Sequence, residues 1–265
     1  MNYSGLIYID KLCKKYNLKY YLVGGTLLGA IRHKGYIPWD DDIDIGMIRE
    51  DYNKLIDILS KEKKDKYFLQ NFITDPEYPR YISKVRINGT QFIEGYLKDY
   101  KMHHGIFIDI FPLDKIKDKN DKKLDFRVNC ARKILVLRII RNGHIEQMTK
   151  NKRIAAKMLR PFTFLIPLRF YNSLLDYIYG YENSRDVNYV TNFGSQYGWR
   201  KQTFPIDVYG GGTYLEFEGH QFMAPAKWDV ILKSLYGDYM KLPPEEKRNS
   251  GHDVVHIDLG KYAEN

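Results

Sequence analysis

The fold class is decided by residues 21–46, which read YLVGGTLLGAIRHKGYIPWDDDIDIG. Residues 20–23 form a short apolar and aromatic run, which is typical of a buried strand. The run stops at Gly24 and Gly25, where the absence of side chains permits another group to approach the backbone closely. We therefore expect a strand that ends in a glycine turn.

A short helical pattern over residues 27–33 follows this turn, and we expect Thr26 to cap it. A strand, a glycine turn and a helix start together can bind a phosphate, because the first N–H groups of a helix lack partners within the helix. A Gly-Gly pair is also common as a plain turn. Both interpretations stay open from this feature alone.

Two aspartates, Asp42 and Asp44, alternate with isoleucines near the end of the stretch. Since side chains alternate between the two faces of a strand, these carboxylates share one face. They repel each other there, and hard oxygen ligands at this spacing favour Mg²⁺ or Mn²⁺. A solvated acidic turn is the alternative, and it fits Asp40 and Asp41 better than it fits the other two.

A third acid, Asp109, is the only charged residue in the run GIFIDIFPL at 105–113. Burial of a lone carboxylate is unfavourable unless a cation or strong hydrogen-bond donors compensate it. One explanation is a local partner such as a helix N-terminus. The other is that Asp109 joins Asp42 and Asp44 as a third metal ligand from a neighbouring strand.

Two cations, Lys84 and Arg86, share one face of a predicted strand over residues 81–87. Such a pair is compatible with a solvated sheet edge. If the face borders the aspartates, both side chains are instead placed to hold phosphate oxygens.

The chain has 265 residues, with 42 Lys and Arg against 33 Asp and Glu, giving a net charge of +9. This excess indicates an anionic partner. Charge alone does not decide between nucleotides, an anionic membrane face and nucleic acid.

Cys13 and Cys130 lie in separate helical patterns, which argues against a disulfide scaffold or a zinc cluster and fits a reducing cytoplasm. We find neither a secretion-type segment in residues 1–10 nor a membrane-spanning apolar run, so we expect a soluble or peripheral protein.

Several further elements follow from periodicity. We expect amphipathic helices over residues 5–17 and 52–59 to cover one sheet, and a basic helical region over 115–151. A hairpin over 214–223 and a helix over 226–235 should return to the catalytic core.

The segment between Pro161 and Asp176 has Arg169 as its only charged residue. We expect a pair of core helices interrupted by Pro167. The alternative is an apolar patch that rests on a membrane. In that case its rim would consist of Arg153, Lys157, Arg160 and Arg169.

The motif HDVVH at 252–256 is similar to the helical zinc motif of metalloproteases. An aspartate stands where that motif requires a glutamate base, and the β-branched run favours an extended backbone. We therefore do not expect zinc at this motif.

Long motifs along the chain resemble the LicD family of phosphocholine transferases, whose distant relatives include fukutin and fukutin-related protein. They cover most of the chain outside 115–185. The matching segments are GGTLLGAIRHKGYIPWDDDIDI (24–45), DYNKL (51–55), YISKVRINGTQF (81–92), GIFIDIFPLD (105–114), FEGHQFMAP (217–225) and YGDYMKLPP (236–244).

This resemblance implies an α/β (α+β) fold with a nucleotidyltransferase-like mixed sheet flanked by helices. We expect a catalytic core over 1–114, a helical insertion over 115–184, and a segment over 185–265 that packs back and completes the catalytic domain. The gap between the glycines and the aspartates is longer than in most nucleotidyltransferases. Residues 32–39 within it are expected to shape a substrate pocket.

The family resemblance also implies transfer of phosphocholine from CDP-choline to a sugar hydroxyl of a cell-surface glycan, such as teichoic acid, lipopolysaccharide or capsule, with release of CMP. We expect Asp42, Asp44 and Asp109 to be catalytic and to hold Mg²⁺ or Mn²⁺, with two ions in all, and Asp109 also to accept the proton of the sugar hydroxyl. The expected substrate-binding residues are Gly24, Gly25, Thr26, Arg32, Trp39, Lys84 and Arg86, with Trp39 as the first candidate for contact with the choline ammonium group.

Other functions remain open. Ribitol, glycerol or ethanolamine phosphate is an alternative group to transfer from a CDP derivative, and nucleotidyl transfer from an NTP would use the same glycines and aspartates. A non-catalytic RNA- or membrane-binding protein would fit the charge but would leave the three aspartates unexplained. Our expectation is an enzyme with a CDP-alcohol donor and a glycan or lipid-linked glycan acceptor, without a nucleic-acid partner. It would be cytoplasmic, with at most a peripheral contact at the inner face of the membrane.

Overall fold

The computed structural model describes residues 2–62 and 65–263. Its central sheet has the strand order β1-β2-β6-β4-β3, and β7 and β8 extend it from the second half of β6. The β2–β6 pair is parallel, whereas the other pairs of this sheet are antiparallel. The strands are β1 Tyr21–Leu22, β2 Asp44–Ile48, β3 Tyr67–Gln70, β4 Ser83–Ile87, β5 Gln91–Glu94, β6 Phe107–Ile116, β7 Tyr189–Thr191, β8 Thr203–Pro205, β9 Thr213–Phe217, β10 His220–Ala224 and β11 Val254–Asp258.

Helices flank this mixed sheet, which confirms the predicted α/β fold class. Within the described ranges, no helix is both long enough and apolar enough to cross a bilayer. The helices are α1 Asn2–Lys15, α2 Gly24–Arg32, α3 Arg49–Lys61, α4 Lys122–Asn142, α5 Lys150–Thr163, α6 Leu168–Gly180, α7 Ile206–Tyr209 and α8 Trp228–Tyr236. The division into three regions along the chain stays a prediction.

The main core lies between the sheet and the helices that the amphipathic patterns predicted. Helix α1 buries Leu6, Ile9 and Leu12 at helical spacing, and α3 buries Leu55 and Leu59 in the same cluster. Burial of each such side chain contributes about 1.5–3 kcal/mol. The two helices therefore hold the sheet in place from one side, as expected.

The C-terminal elements also have the predicted form. Strands β9 and β10 form an antiparallel hairpin whose turn residues Glu218 and Gly219 both have positive φ, at 51° and 74°. This is the backbone that a two-residue hairpin turn requires. Strand β11 contains the second histidine of HDVVH and pairs with β5, so that motif is extended and not helical.

The predicted cap of α2 is wrong. The helix begins at Gly24, its N-cap position is Val23, and no side chain caps it. Thr26 lies inside the first turn instead, where its Oγ1 accepts a hydrogen bond of 2.8 Å from the backbone N–H of Asp44. Thr26 therefore ties α2 to the start of β2.

The expectation that residues 161–176 form core is wrong for most of the apolar side chains. Leu165 is 79 % exposed and Phe162 is 63 % exposed, whereas Tyr171 and Leu175 are buried against α4. The reason is that α5 and α6 each turn one face towards α4, so the remaining apolar side chains have no protein surface left to cover them. Pro167 separates the two helices, as predicted.

A buried ion pair joins α3 to β6 beside the sheet. Arg49 donates two hydrogen bonds of 2.7 Å to the two carboxylate oxygens of Asp114, and Asn183 donates another of 2.7 Å. The Asp114 side chain is fully buried. Bidentate pairs of this kind fix geometry as well as charge.

We predict that Asp114→Asn destabilises the fold by about 3–5 kcal/mol, because Arg49 would keep its charge without a buried partner. Denaturant unfolding followed by circular dichroism measures this. The control is Asp57→Asn, which removes an exposed pair with Lys61 in α3 and should change stability by less than about 1 kcal/mol. Equal losses in the two variants would contradict the role assigned to the buried pair.

Candidate active site

Three charged residues lie in one row across the central strands. Asp44 of β2 is directly opposite Asp109 of β6 in the parallel ladder, and Lys84 of β4 is opposite Asp109 in the antiparallel ladder. Partners in register point their side chains to the same face of a sheet. The strand order thus brings together three side chains that are up to 65 residues apart in sequence.

Asp109 has a cation as its partner and not a helix N-terminus. The Lys84 Nζ atom lies 2.7 Å from Asp109 Oδ1 and 3.3 Å from the ring centroid of Phe107. Both charged residues are buried, with 0 % and 3 % exposure. Burial lowers the pKa of Lys84 to about 8, although the charge of Asp109 opposes this shift.

Asp42 and Asp44 lack a comparable partner. Burial, followed by the charges of Asp40 and Asp109, raises the pKa of Asp42 to about 7. Burial, followed by the charges of Asp42 and Asp109, raises the pKa of Asp44 well above its ordinary value. The Oδ1 atom of Asp44 is buried and accepts no hydrogen bond within the described chain.

The glycine pair faces these acids. Gly24 has φ +57°, and a Cβ atom built on it would lie 2.8 Å from Asp44 Oδ2. A Cβ atom on Gly25 would clash with Asp40 Oδ2. Glycine is therefore needed at both positions so that the first turn of α2 can lie against the carboxylates.

The acids open into a cavity of about 1250 Å³. Drug-sized ligands commonly occupy roughly 300–1,000 Å³, so this volume can accommodate more than one substrate. The acidic lining residues are Asp40, Asp42, Asp44, Glu94, Asp109, Asp238 and Asp253; the basic ones are Arg32, Arg80, Arg132, Lys241 and Lys247 together with His252; the aromatic ones include Trp39, Tyr81, Tyr96, Tyr179, Phe193 and Tyr236.

Most of the predicted site residues meet at this cavity. Its lining includes the three aspartates Asp42, Asp44 and Asp109, the glycines Gly24 and Gly25, and the two residues Arg32 and Trp39. Thr26 lies behind the wall, where it holds the Asp44 backbone.

Two predicted phosphate ligands do not reach the cavity lining. Arg86 donates hydrogen bonds of 2.5 Å to Gln70 Oε1 and 2.6 Å to the Gly105 carbonyl, so its guanidinium is engaged inside the sheet layer. Lys84 is engaged by Asp109. Strand order explains the position of Lys84, because it lies opposite Asp109 and compensates the buried charge of that acid.

His252 is a site residue that the sequence reasoning missed. Its Nδ1 atom lies 2.7 Å from Asp41 Oδ1, and its Nε2 atom lies 3.6 Å from Asp42 Oδ2 and 3.8 Å from Glu94 Oε1. Burial lowers its pKa, but the hydrogen bond to Asp41 and the surrounding acids outweigh this and raise it. The only local signal was the HDVVH motif, and the proximity arises from the pairing of β11 with β5.

The donor set suits a hard divalent cation. Several carboxylates converge on one wall of the cavity. Within the described chain, Lys84 is the only buried ammonium group beside them, and Asp44 Oδ1 is buried without a hydrogen-bond partner. Oxygen ligands of this kind match Mg²⁺ or Mn²⁺. Within the described residues, the three side chains whose ligand atoms all lie within 4.8 Å of one another are Asp41, Asp42 and His252. The ligand atoms of the predicted trio, Asp42, Asp44 and Asp109, do not all lie within that distance, and Lys84 engages Asp109.

Known proteins of similar sequence include members of one family. The lipopolysaccharide cholinephosphotransferase LicD of Haemophilus influenzae is 31% identical over 249 residues, which is 93% of this chain and 91% of that protein. The human ribitol 5-phosphate transferase FKRP is 46% identical over 44 residues, which is 17% of this chain and 9% of that protein. An uncharacterized protein of Rickettsia prowazekii, RP689, is 55% identical over 49 residues.

Residues 17–133 match the family model described as LicD/FKTN/FKRP, nucleotidyltransferase domain. This range contains the glycine turn, all three aspartates of the predicted metal site and the lysine that pairs with Asp109. Together with the near full-length similarity to a LicD protein, the match shows that the chain belongs to the LicD family.

Proposed function

We propose that this protein transfers phosphocholine from CDP-choline to a sugar hydroxyl of a cell-surface glycan and releases CMP. The observation that carries the proposal is the similarity over 93% of the chain to a lipopolysaccharide cholinephosphotransferase. The carboxylate wall beside the glycine turn supports a phosphotransferase mechanism at the same place. The activity is proposed to depend on divalent ions.

Asp42, Asp44 and Asp109 would hold the ions, and Asp44 Oδ1 is a ready ligand because it is buried without a partner. A divalent ion supplies positive charge that stabilises the diphosphate and the attacking and leaving oxygens during the displacement. The Lys84 ammonium group lies 2.7 Å from Asp109 Oδ1 and would hold that carboxylate in place at the site. Asp109 would also accept the proton of the sugar hydroxyl.

Arginines and lysines at the cavity wall would bind the diphosphate in place of Arg86. Arg80 lies 3.8 Å from Glu94 and stacks over Tyr96, with 5.5 Å between guanidinium and ring centroid. Arg32 donates a 3.0 Å hydrogen bond to the Tyr239 carbonyl, which fixes its position at the wall. Fixed guanidinium groups suit phosphate oxygens. The backbone N–H groups of the Gly24–Gly25 turn would bind a phosphate oxygen as well, once a cation screens the neighbouring carboxylates.

The choline ammonium group requires aromatic faces without competing cations. Trp39 already has the Arg32 and Arg248 guanidinium groups 5.9 Å and 5.5 Å from its ring centroid. Phe193 lines the same cavity and is partly exposed, and no cation lies over its ring within the described chain. Tyr179 beside it is buried, with the ring centroids of Phe193 and Tyr81 4.7 Å and 4.6 Å away. We therefore propose that the choline group lies against Phe193, with Trp39 nearer the phosphates.

A second candidate is the transfer of another alcohol phosphate from its CDP derivative. It is favoured by the local similarity to a ribitol 5-phosphate transferase, which includes no more than 17% of this chain. The two candidates share the carboxylates and differ in the pocket that receives the alcohol.

The test is incubation of the purified protein with CDP-choline, CDP-ribitol or CDP-glycerol and a lipopolysaccharide or teichoic acid acceptor, with and without Mg²⁺. Release of CMP that requires Mg²⁺ and is fastest with CDP-choline supports the proposal. Pyrophosphate release from CTP would instead indicate nucleotidyl transfer, and preference for CDP-ribitol would favour the second candidate.

We predict that Asp42→Asn lowers CMP release at least about a hundredfold, because a lost metal ligand removes several kcal/mol of charge stabilisation in the transition state. The control is Asp186→Asn, an exposed acid outside the cavity, which should retain full activity. Near-normal turnover by Asp42→Asn would remove the carboxylate mechanism.

Gly25→Ala is predicted to reduce turnover while the protein still folds, because the new methyl group would displace the Asp40 carboxylate, which acts directly on the proposed ligand Asp42. Gly211→Ala is the matched control, since a Cβ atom there meets nothing within 4 Å and its backbone is not in the left-handed region. The measurement is the rate of CMP release together with the thermal midpoint. If both variants were equally active, the close approach of the turn to the acids would not matter for catalysis.

Asp44→Asn is predicted to raise the thermal midpoint in EDTA, because it removes a buried charge that its neighbours repel. The wild type should gain stability when MnCl₂ or MgCl₂ is added, since a ligand that binds the native state stabilises it. Asp44→Asn should lose most of this gain. An equal metal-induced rise in both proteins would place the ion elsewhere.

A further inference from the structure

The helical region carries a set of apolar side chains that no part of the described chain covers. We call this set the hairpin patch. It lies on α5, on the connection over residues 164–167 and on the first turn of α6. Its members are Ile154, Met158, Phe162, Phe164, Leu165 and Phe170, which are 53–79 % exposed.

The hairpin patch is a second apolar face of α5 and not its packing face. Ile154, Met158 and Phe162 follow one another at intervals of four residues, so they form one stripe along the helix. Ala156 is buried against α4 and lies two residues beyond Ile154, which is about 200° around the helix. Helix α5 therefore packs on α4 with one side and presents apolar side chains to the outside with the other.

The connection is held in a defined conformation by the body of the protein. Arg141 of α4 donates a hydrogen bond of 3.0 Å to the Ile166 carbonyl and another to the Thr163 carbonyl, and its guanidinium lies 4.5 Å from the Phe164 ring centroid. Tyr171 donates a further bond of 3.2 Å to the Thr163 carbonyl. The exposed side chains are thus presented by an anchored loop.

The charge around the hairpin patch has one sign. Between Glu146 and Asp176 the sequence contains no acidic residue. Within the same interval it has six cationic residues, and among the described residues only Arg153 pairs with an acid, Glu146, at 3.2 Å. These cations are Lys150, Lys152, Arg153, Lys157, Arg160 and Arg169.

We propose that the hairpin patch docks this enzyme on the surface of an anionic lipid bilayer. Apolar side chains that protrude singly from a helix and a loop suit insertion between lipid headgroups, and a basic surround suits anionic headgroups. Lysine is depleted at protein–protein interfaces, so a surround with three lysines fits lipid headgroups better than a protein partner.

The patch and the active site share a helix. Helix α6 carries Phe170 in its first turn and supplies Tyr179 to the cavity wall near its end, and α4, on which α5 packs, supplies Arg132 and Leu135. Docking through this hairpin would therefore hold the cavity near a bilayer, where a lipid-linked acceptor resides. The docking itself rests on exposure and charge and does not depend on the proposed function.

The test is co-sedimentation of the full chain with vesicles of phosphatidylcholine that contain about a third phosphatidylglycerol, and with pure phosphatidylcholine vesicles. The wild type should bind the anionic vesicles much more strongly. Met158→Ser/Leu165→Ser should weaken this binding about tenfold or more, because two inserted apolar side chains are lost. Lys152→Glu/Lys157→Glu should have a similar effect through charge.

Two matched controls should bind like the wild type. Ile73→Ser changes an isolated side chain that is 80 % exposed elsewhere on the surface, and Lys11→Glu/Lys119→Glu makes the same change in net charge on other faces. Circular dichroism spectra and thermal midpoints equal to those of the wild type show that each variant is folded. Failure of the wild type to bind anionic vesicles, unchanged binding of the Met158→Ser/Leu165→Ser protein, or a dimer that dissociates in that variant would overturn the proposal.

Discussion

The repulsion among buried carboxylates is the constraint on which the rest of this structure depends. Asp44 and Asp109 are neighbours in a parallel ladder, where like charges repel each other. Lys84 compensates Asp109 from 2.7 Å, whereas His252 Nε2 lies 3.6 Å from Asp42 Oδ2 and Asp44 Oδ1 has no hydrogen-bond partner within the described chain. Burial first, and the neighbouring acids second, raise the pKa values of Asp42 and Asp44. We propose that a divalent cation would relieve this repulsion, so that an arrangement unfavourable for the carboxylates alone would favour metal binding. The glycine turn belongs to the same arrangement, because it lets α2 begin against the acids without a side chain in between.

The acidic residues of the site could be predicted from the sequence, because the alternation of side chains along a strand can be read from a few consecutive residues. The alternation around Asp44 and the single charge in the run around Asp109 identified the two acids, and the structure places them side by side. Periodicity does not state which strands are neighbours, so the order β2-β6-β4, which inserts Lys84 next to Asp109 and turns Arg86 towards Gln70, was not available. His252 was missed for a related reason, since it reaches Asp41 only because a strand near the end of the chain pairs with β5.

The helical region shows a different limit of prediction. An apolar run such as residues 161–176 has the same composition whether it fills a core or covers the outside of a helix pair. The outcome depends on which faces of α5 and α6 pack on α4, and their remaining apolar side chains stay exposed. The resulting surface lies on α5 and the start of α6, and the end of α6 reaches the cavity wall at Tyr179. If the proposed docking is correct, this helix links the bilayer contact to the cavity.

The central claim is that Asp42 and Asp44, with Asp109 beside them, form the divalent-ion site. The most direct measurement is a crystal structure of the protein soaked with MnCl₂, with data collected for anomalous scattering from manganese. The account predicts anomalous density within bonding distance of the Asp42 and Asp44 carboxylates, on the side facing Asp109. Density bound only by Asp41 and His252, or no manganese at this wall in crystals that diffract well, would contradict it.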